Sequence, residues 1–278
     1  MEIWEAVVLG IVEGVTEFLP VSSTGHLTIT EKLMDIPIDD KGVTAFTAII
    51  QVGAIIAAII YFRTDIARFI AGFVKGLFSA EARKEDGWRM AVIVIIGSLP
   101  IAVIGLAFKD TIEGALRSLW FVAGALVVWS LVMVAAEHLG KQRRGEGELT
   151  WKDGLIIGLA QCIALVPGVS RSGATISAGL FRNIDRVTAT RLSFFLGIPA
   201  LAAAGVLEGV QRFDEVSATV GWVPTGVGLV VSFIVAYASI AWLLKFVASN
   251  SIATFVYYRA AVGGIIVALL WGGVITAT

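Results

Sequence analysis

Six stretches of about twenty predominantly apolar residues, at 44–62, 90–108, 119–137, 192–208, 225–246 and 253–276, decide what this chain can become. A helix rises about 1.5 Å per residue, so each stretch matches the roughly 30 Å hydrocarbon core of a bilayer. Inside that core every backbone polar group needs a partner within the chain, which leaves helices or a closed barrel. Barrel strands alternate over about 10 residues, whereas these runs are longer and uniformly apolar. Composition agrees, with 57% of the 278 residues hydrophobic and 15% charged, against roughly 45–50% and 25% in soluble domains. The formal net charge of −1 gives no basic face for nucleic acid, and the single Cys162 excludes an internal disulfide. The expected fold is an all-α polytopic membrane protein, one membrane domain over 1–278.

Two further apolar segments, 3–19 and 154–166, carry polar groups and run into turns rich in Pro, Gly and Ser, so they read as re-entrant helical hairpins. A shift of 148 lays Gly10 on Gly158, Glu13 on Gln161, Val21 on Val169, Ser22 on Ser170, Thr24 on Ser172 and Gly25 on Gly173, and the prolines match at 147. This is an internal repeat, approximately 1–140 and 150–278, each half a hairpin followed by three spans. Three spans per half turn the second hairpin over, so the expected arrangement is an inverted repeat. The Lys and Arg counts alternate accordingly. Segments 63–89, 138–153, 176–191 and 245–252 hold 6, 4, 3 and 1, whereas 28–43, 109–118 and 209–223 hold 2, 2 and 1. The positive-inside rule makes the first set cytoplasmic and both termini external. The charged 63–89 segment reads first as a solvated linker, with a partner site or a lipid-headgroup contact as the alternatives. The start Met-Glu-Ile-Trp lacks a basic region and a small-residue cleavage site, so no cleaved signal peptide is expected.

The chemistry gathers in the hairpins. Glu13 and Glu17, one helical turn apart, share a face inside an apolar segment. Each carboxylate costs about 2.5–3.5 kcal/mol at mid-bilayer, which a cation, a proton or a wet cavity would offset. A divalent metal suits the pair when phosphate is nearby, because hard cations take both oxygen types. The turn Pro20-Val21-Ser22-Ser23-Thr24-Gly25-His26 follows, with three hydroxyls and an imidazole. Helix capping explains one hydroxyl, and His26 near neutrality can act as nucleophile or base beside Ser23. The second turn, Pro167-Gly168-Val169-Ser170-Arg171-Ser172-Gly173-Ala174-Thr175, adds a cation among apolar flanks. Phosphate is a good bidentate partner for Arg171, and Ser170, Ser172, Thr175 and backbone N–H groups would complete a cradle. A salt bridge from Arg171 to Glu13 or Glu17 is the competing reading, and such a pair can open for substrate. Gln51 and Gln161 are the remaining isolated polar groups in the membrane segments.

Both turns together, in order and at their spacing, resemble the two signature regions of the undecaprenyl-diphosphate phosphatase family associated with bacitracin resistance. The resemblance implies a membrane hydrolase acting on a phosphoric anhydride, converting undecaprenyl diphosphate to undecaprenyl phosphate and so recycling the lipid carrier for peptidoglycan synthesis. It implies Mg²⁺ or Ca²⁺ on Glu13 and Glu17, a diphosphate clamped by Arg171, and Ser23 and His26 at the attack position. Ser22, Thr24, Gly168, Ser170, Ser172, Gly173 and Thr175 would line the substrate. Either Ser23 attacks with His26 as base, or His26 attacks the phosphorus itself. The expected location is the cytoplasmic (inner) membrane with the site open to the outer face, and a homodimer remains open as an assembly. The alternative is a transporter or flippase of an anionic lipid or small anion on the same repeat, which has no need of a nucleophile. No G-x-x-x-x-G-K-[ST] loop is present, so ATP is not expected.

Overall fold

The computed structural model describes residues 1–108 and 118–277. Lys109 and Arg117, counted above on the external side, lie outside the described residues. Among the described residues twelve α-helices run in order: α1 (Ile3–Thr16), α2 (Ser23–Leu33), α3 (Lys41–Tyr61), α4 (Arg63–Phe78), α5 (Asp86–Ala107), α6 (Leu119–Leu139), α7 (Trp151–Ile163), α8 (Arg171–Phe181), α9 (Arg186–Gln211), α10 (Phe213–Thr219), α11 (Trp222–Val247) and α12 (Thr254–Trp271). Six of them, α3, α5, α6, α9, α11 and α12, are long and apolar enough to cross a bilayer. Each falls on one of the six apolar runs, α12 ending at Trp271, five residues before the end of its run. Polar caps extend them beyond those runs: Asp40 accepts from the N–H groups of Gly42 and Val43 at 2.7 and 3.0 Å, and Asp185 from that of Thr188 at 2.9 Å. The α9 helix therefore begins six residues before the apolar run at 192.

Segments 3–19 and 154–166 each form a helix that stops at the turn, and a second helix restarts at Ser23 or Arg171. Small residues let these broken helices approach their neighbours closely. A Cβ on Gly10 would stand 2.7 Å from the Gly228 carbonyl oxygen, and one on Gly14 2.8 Å from that of Ser232, so α1 lies directly on α11. In the same way α7 lies on α5, through Gly158 against Gly97 and Gly154 against Ile93. The helices α3 and α9 pack together, as do α6 and α12. Phe18, Phe62 and Phe194 form the buried centre, with the rings of Phe18 and Phe194 edge to face at 4.9 Å. Outward, Val103, Leu106, Leu131, Val230 and Ile234 are well exposed, as a surface facing lipid requires.

The 63–89 segment corrects the expectation of a solvated linker. Its first half is α4, and α4 packs on α5 where Gly72 meets Gly87 and Gly76 meets the Trp88 ring. The apolar residues Ile66, Phe69, Phe73 and Leu77 repeat at helical spacing between the charges, and the glycines permit the close contact.

One cluster at the helix ends is built for charge. Asp153, fully buried, accepts from Arg144 at 2.7 and 3.0 Å, from Arg182 at 2.9 Å, and from the Thr150 N–H and hydroxyl at 2.9 and 2.8 Å. Burial pushes this carboxyl up, but the donors outweigh burial and hold it well below its ordinary value of 3.8. Replacing Asp153 with Asn leaves two guanidinium groups facing a neutral amide. The expected cost is about 2 kcal/mol at neutral pH. A carboxylate depressed in the folded state stabilises above its unfolded value, and the contribution fades as pH falls through its folded value. The gap between the two melting temperatures in detergent should begin to narrow below about pH 4 and close at lower pH.

Candidate active site

The two turns meet in the middle of the helix packing. Each restarts its helix from a serine in the left-handed backbone region, Ser22 and Ser170 both with φ 78°. A non-glycine residue there costs on the order of 1–3 kcal/mol, and the fold recovers part of it through capping. The Ser22 hydroxyl accepts from the Gly25 N–H at 3.4 Å, and that of Ser170 from the Gly173 N–H at 3.1 Å. Those hydroxyls, expected to line substrate, thus cap helices. Gly168 has φ +97°, and its α-carbon faces the Val122 carbonyl so closely that no side chain fits.

Glu17 is the junction. It is buried, and its Oε2 accepts from the Ser23 hydroxyl at 2.8 Å and from Gln51 Nε2 at 3.0 Å. Its Oε1 faces Arg171, 3.4 Å from Nε and 3.3 Å from Nη2. The remaining end of that guanidinium donates to the Ser193 carbonyl at 2.8 Å. Ser172 donates to the Leu19 carbonyl at 2.9 Å, stitching the second turn to the first. Thr175 is fully buried, its hydroxyl between Ser193 Oγ at 2.7 Å and the Arg171 carbonyl at 2.8 Å, so it braces α8 rather than facing an opening. Thr24 is exposed, and Ser23 and His26 are partly so.

His26 is held from both sides, by the Ser22 carbonyl 2.7 Å from Nδ1 and by the Tyr258 hydroxyl 2.8 Å from Nε2. Among the described residues no hydrogen bond joins His26 to Ser23, whose proton points to Glu17. Glu13, one turn earlier, is buried with both carboxylate oxygens unpartnered among the described residues. The amide of Gln161 is also buried and unpartnered there.

Four contributors escape a reading of the motifs alone: Ser193, Gly197, Tyr258 and Arg259. A charge inside the apolar run 253–276 was the available signal for Arg259. Its guanidinium is fully buried and lies 3.1 Å from the Pro20 carbonyl, 2.9 and 3.1 Å from those of Gly168 and Val169, 3.3 Å from that of Leu126, and 3.1 Å from Ser130 Oγ. It ties the two turns together. Gly197 faces the Arg171 guanidinium, and a Cβ there would stand 2.6 Å from Cζ. The clash is with the mobile end of a side chain, so Gly197→Ala should keep the fold and displace the cation. A misplacement of about 1 Å can cost on the order of a hundredfold in rate. Steady-state kinetics beside an unchanged melting curve would check this.

Known proteins give this geometry a context. The family model for bacitracin resistance protein BacA matches residues 6–265. The chain is 55% identical to undecaprenyl-diphosphatase 3 of Frankia casuarinae over the full length of both. It is 55% identical to an undecaprenyl-diphosphatase of Cutibacterium acnes and 48% to one of Mycolicibacterium smegmatis, covering 98% of each chain in both cases. With a family match that takes in both turns and relatives aligned end to end, this chain belongs to the bacitracin resistance protein BacA family.

Proposed function

We propose that this protein is an undecaprenyl-diphosphatase of the cell membrane, hydrolysing undecaprenyl diphosphate to undecaprenyl phosphate and inorganic phosphate. The observation that carries the reading is the Ser23–Glu17–Arg171 chain: a hydroxyl with a proton acceptor and a cation for phosphate, drawn from both turns. In an apolar helix bundle such a site suits a substrate whose tail stays in the bilayer.

In the proposed sequence the terminal phosphate displaces the Glu17 carboxylate from Arg171, and the guanidinium takes phosphate oxygens in its place. Ser23 Oγ attacks the terminal phosphorus while its proton passes to Glu17 Oε2. The phosphoanhydride bond breaks, and undecaprenyl phosphate leaves with the bridging oxygen. Water then attacks the phosphoserine as His26 Nε2 accepts the water proton, and Ser23 Oγ recovers a proton from Glu17. A mass-spectrometric search for phosphorylated protein should find the label on Ser23, enriched in His26→Ala; label on His26 would reassign the nucleophile.

The orphaned carboxylate of Glu13 beside Glu17 fits a hard cation, Mg²⁺ or Ca²⁺. Among the described residues no group of three or more His, Cys, Asp or Glu gathers to cage it, so Glu13 and Glu17 would hold it together with water or substrate oxygens. Such an ion supplies neutralisation of charge developing on phosphate oxygens.

The charge asymmetry of the loops supports an inner-membrane orientation with the first turn reached from the outer face, and a reporter fused to the C-terminus should then be extracytoplasmic. The matched pairings of α1 with α11 and α7 with α5 support the inverted repeat. Transport is less favoured, since it leaves the Ser23–Glu17 bond without a task. The test is phosphate release from a polyprenyl diphosphate by purified protein in detergent, with Mg²⁺ or Ca²⁺ and then with EDTA. Metal-dependent release supports the reading; none, with lipid moved across reconstituted vesicles, would replace it.

A further inference from the structure

The imidazole of His26 is the one reactive group at the site whose two nitrogens are both already committed. A backbone carbonyl only accepts, so the 2.7 Å contact with the Ser22 oxygen puts a proton on Nδ1. Nε2 therefore presents its lone pair, and the Tyr258 hydroxyl 2.8 Å away donates to it. The two rings also lie nearly parallel, 9° between planes and 5.5 Å between centroids. Tyr258 comes from α12, far from His26 in sequence, and its neighbour Arg259 fastens the carbonyls of Pro20, Gly168 and Val169. One turn of α12 thus holds both the backbone of the two turns and the ring standing on the first of them.

We propose that Tyr258 is a positioning residue of the hydrolytic site, holding the His26 ring in place with Nε2 free of a proton and facing the substrate side. The proposal rests on the phosphatase reading for its consequence, though the contact itself does not. A base that must take a proton from water needs the Nδ1–H tautomer, and a ring fixed at one nitrogen alone can still swing about that bond. The stacked phenol stops the swing. Tyr258 is about half exposed, so when substrate arrives the hydroxyl can release Nε2 without leaving a buried donor unpaired.

The chain has two histidines, and the other, His138, is exposed near the end of α6, so nitrogen NMR on protein with isotope-labelled histidine resolves the question directly. His138→Gln assigns the signals. The wild type should show His26 with Nδ1 protonated and Nε2 as a hydrogen-bonded, proton-free nitrogen. In Tyr258→Phe, which keeps the aromatic face and removes the donor, the Nε2 resonance should move to the position of a free imidazole nitrogen. In phosphate release the same variant should lower kcat about tenfold with KM nearly unchanged. It should also add little to the loss already caused by His26→Ala. An Nε2 resonance indifferent to Tyr258→Phe overturns the proposal, as does an equal slowing of the wild type and of His26→Ala. If the wild type releases no phosphate, the phosphatase reading fails, and the nitrogen resonance alone decides whether Tyr258 positions His26.

Discussion

Glu17→Gln is expected to reduce phosphate release by about a thousandfold, the middle of the range for losing a positioned proton acceptor, while the protein still purifies as a folded species. Glu17 collects donors from Ser23, Gln51 and Arg171, three separate parts of the chain. Glutamine has the same size, but it carries no charge for Arg171 and is a poor acceptor for the Ser23 proton. The guanidinium is about nine-tenths buried, so removal of its counter-charge should also lower the melting temperature by several degrees. Because Ser23 and Glu17 act as one unit, the double variant Glu17→Gln with Ser23→Ala should be no slower than the worse single variant. Additive losses would mean that the two residues work independently.

Arg259→Met should have the largest effect on stability. Methionine fills similar space but donates nothing, and the carbonyls of Pro20, Gly168, Val169 and Leu126 lose their shared donor in the core of the bundle. Loss of a buried, multiply bonded charged group costs about 3–5 kcal/mol, or roughly 10 °C in a protein of this size. Activity should fall with it, since both turns are anchored there. Lysine at the same position keeps the charge but offers a point in place of a fork, so Arg259→Lys should recover part of the stability and little of the rate. A melting curve within about 1 °C of wild type for Arg259→Met would show that the turns hold their shape without it.

Much of this is legible in the sequence, because membrane burial leaves a strong trace there. The apolar runs located all six long helices, and the polar residues that interrupt apolar segments marked both turns. What remained hidden depends on where side chains end up. Ser22 and Ser170 read as substrate ligands, and the capping role of their hydroxyl oxygens shows only in the folded turns. Ser23 and His26 looked like a pair, yet the Ser23 proton faces Glu17 and the free nitrogen of His26 faces Tyr258. Tyr258 and Ser193 carry no signal in sequence, being ordinary residues of apolar helices until α12 and α9 are folded against the turns. The amphipathic α4 was obscured because its charges are dense enough to read as a linker while its apolar stripe is short.

The central claim is that the two turns build one site that attacks the terminal phosphorus of a lipid diphosphate. Hydrolysis of undecaprenyl diphosphate by the purified protein in water enriched in heavy oxygen tests it most directly. The account predicts one heavy oxygen in each inorganic phosphate released and none in undecaprenyl phosphate; no release, or label in the lipid phosphate, would contradict it.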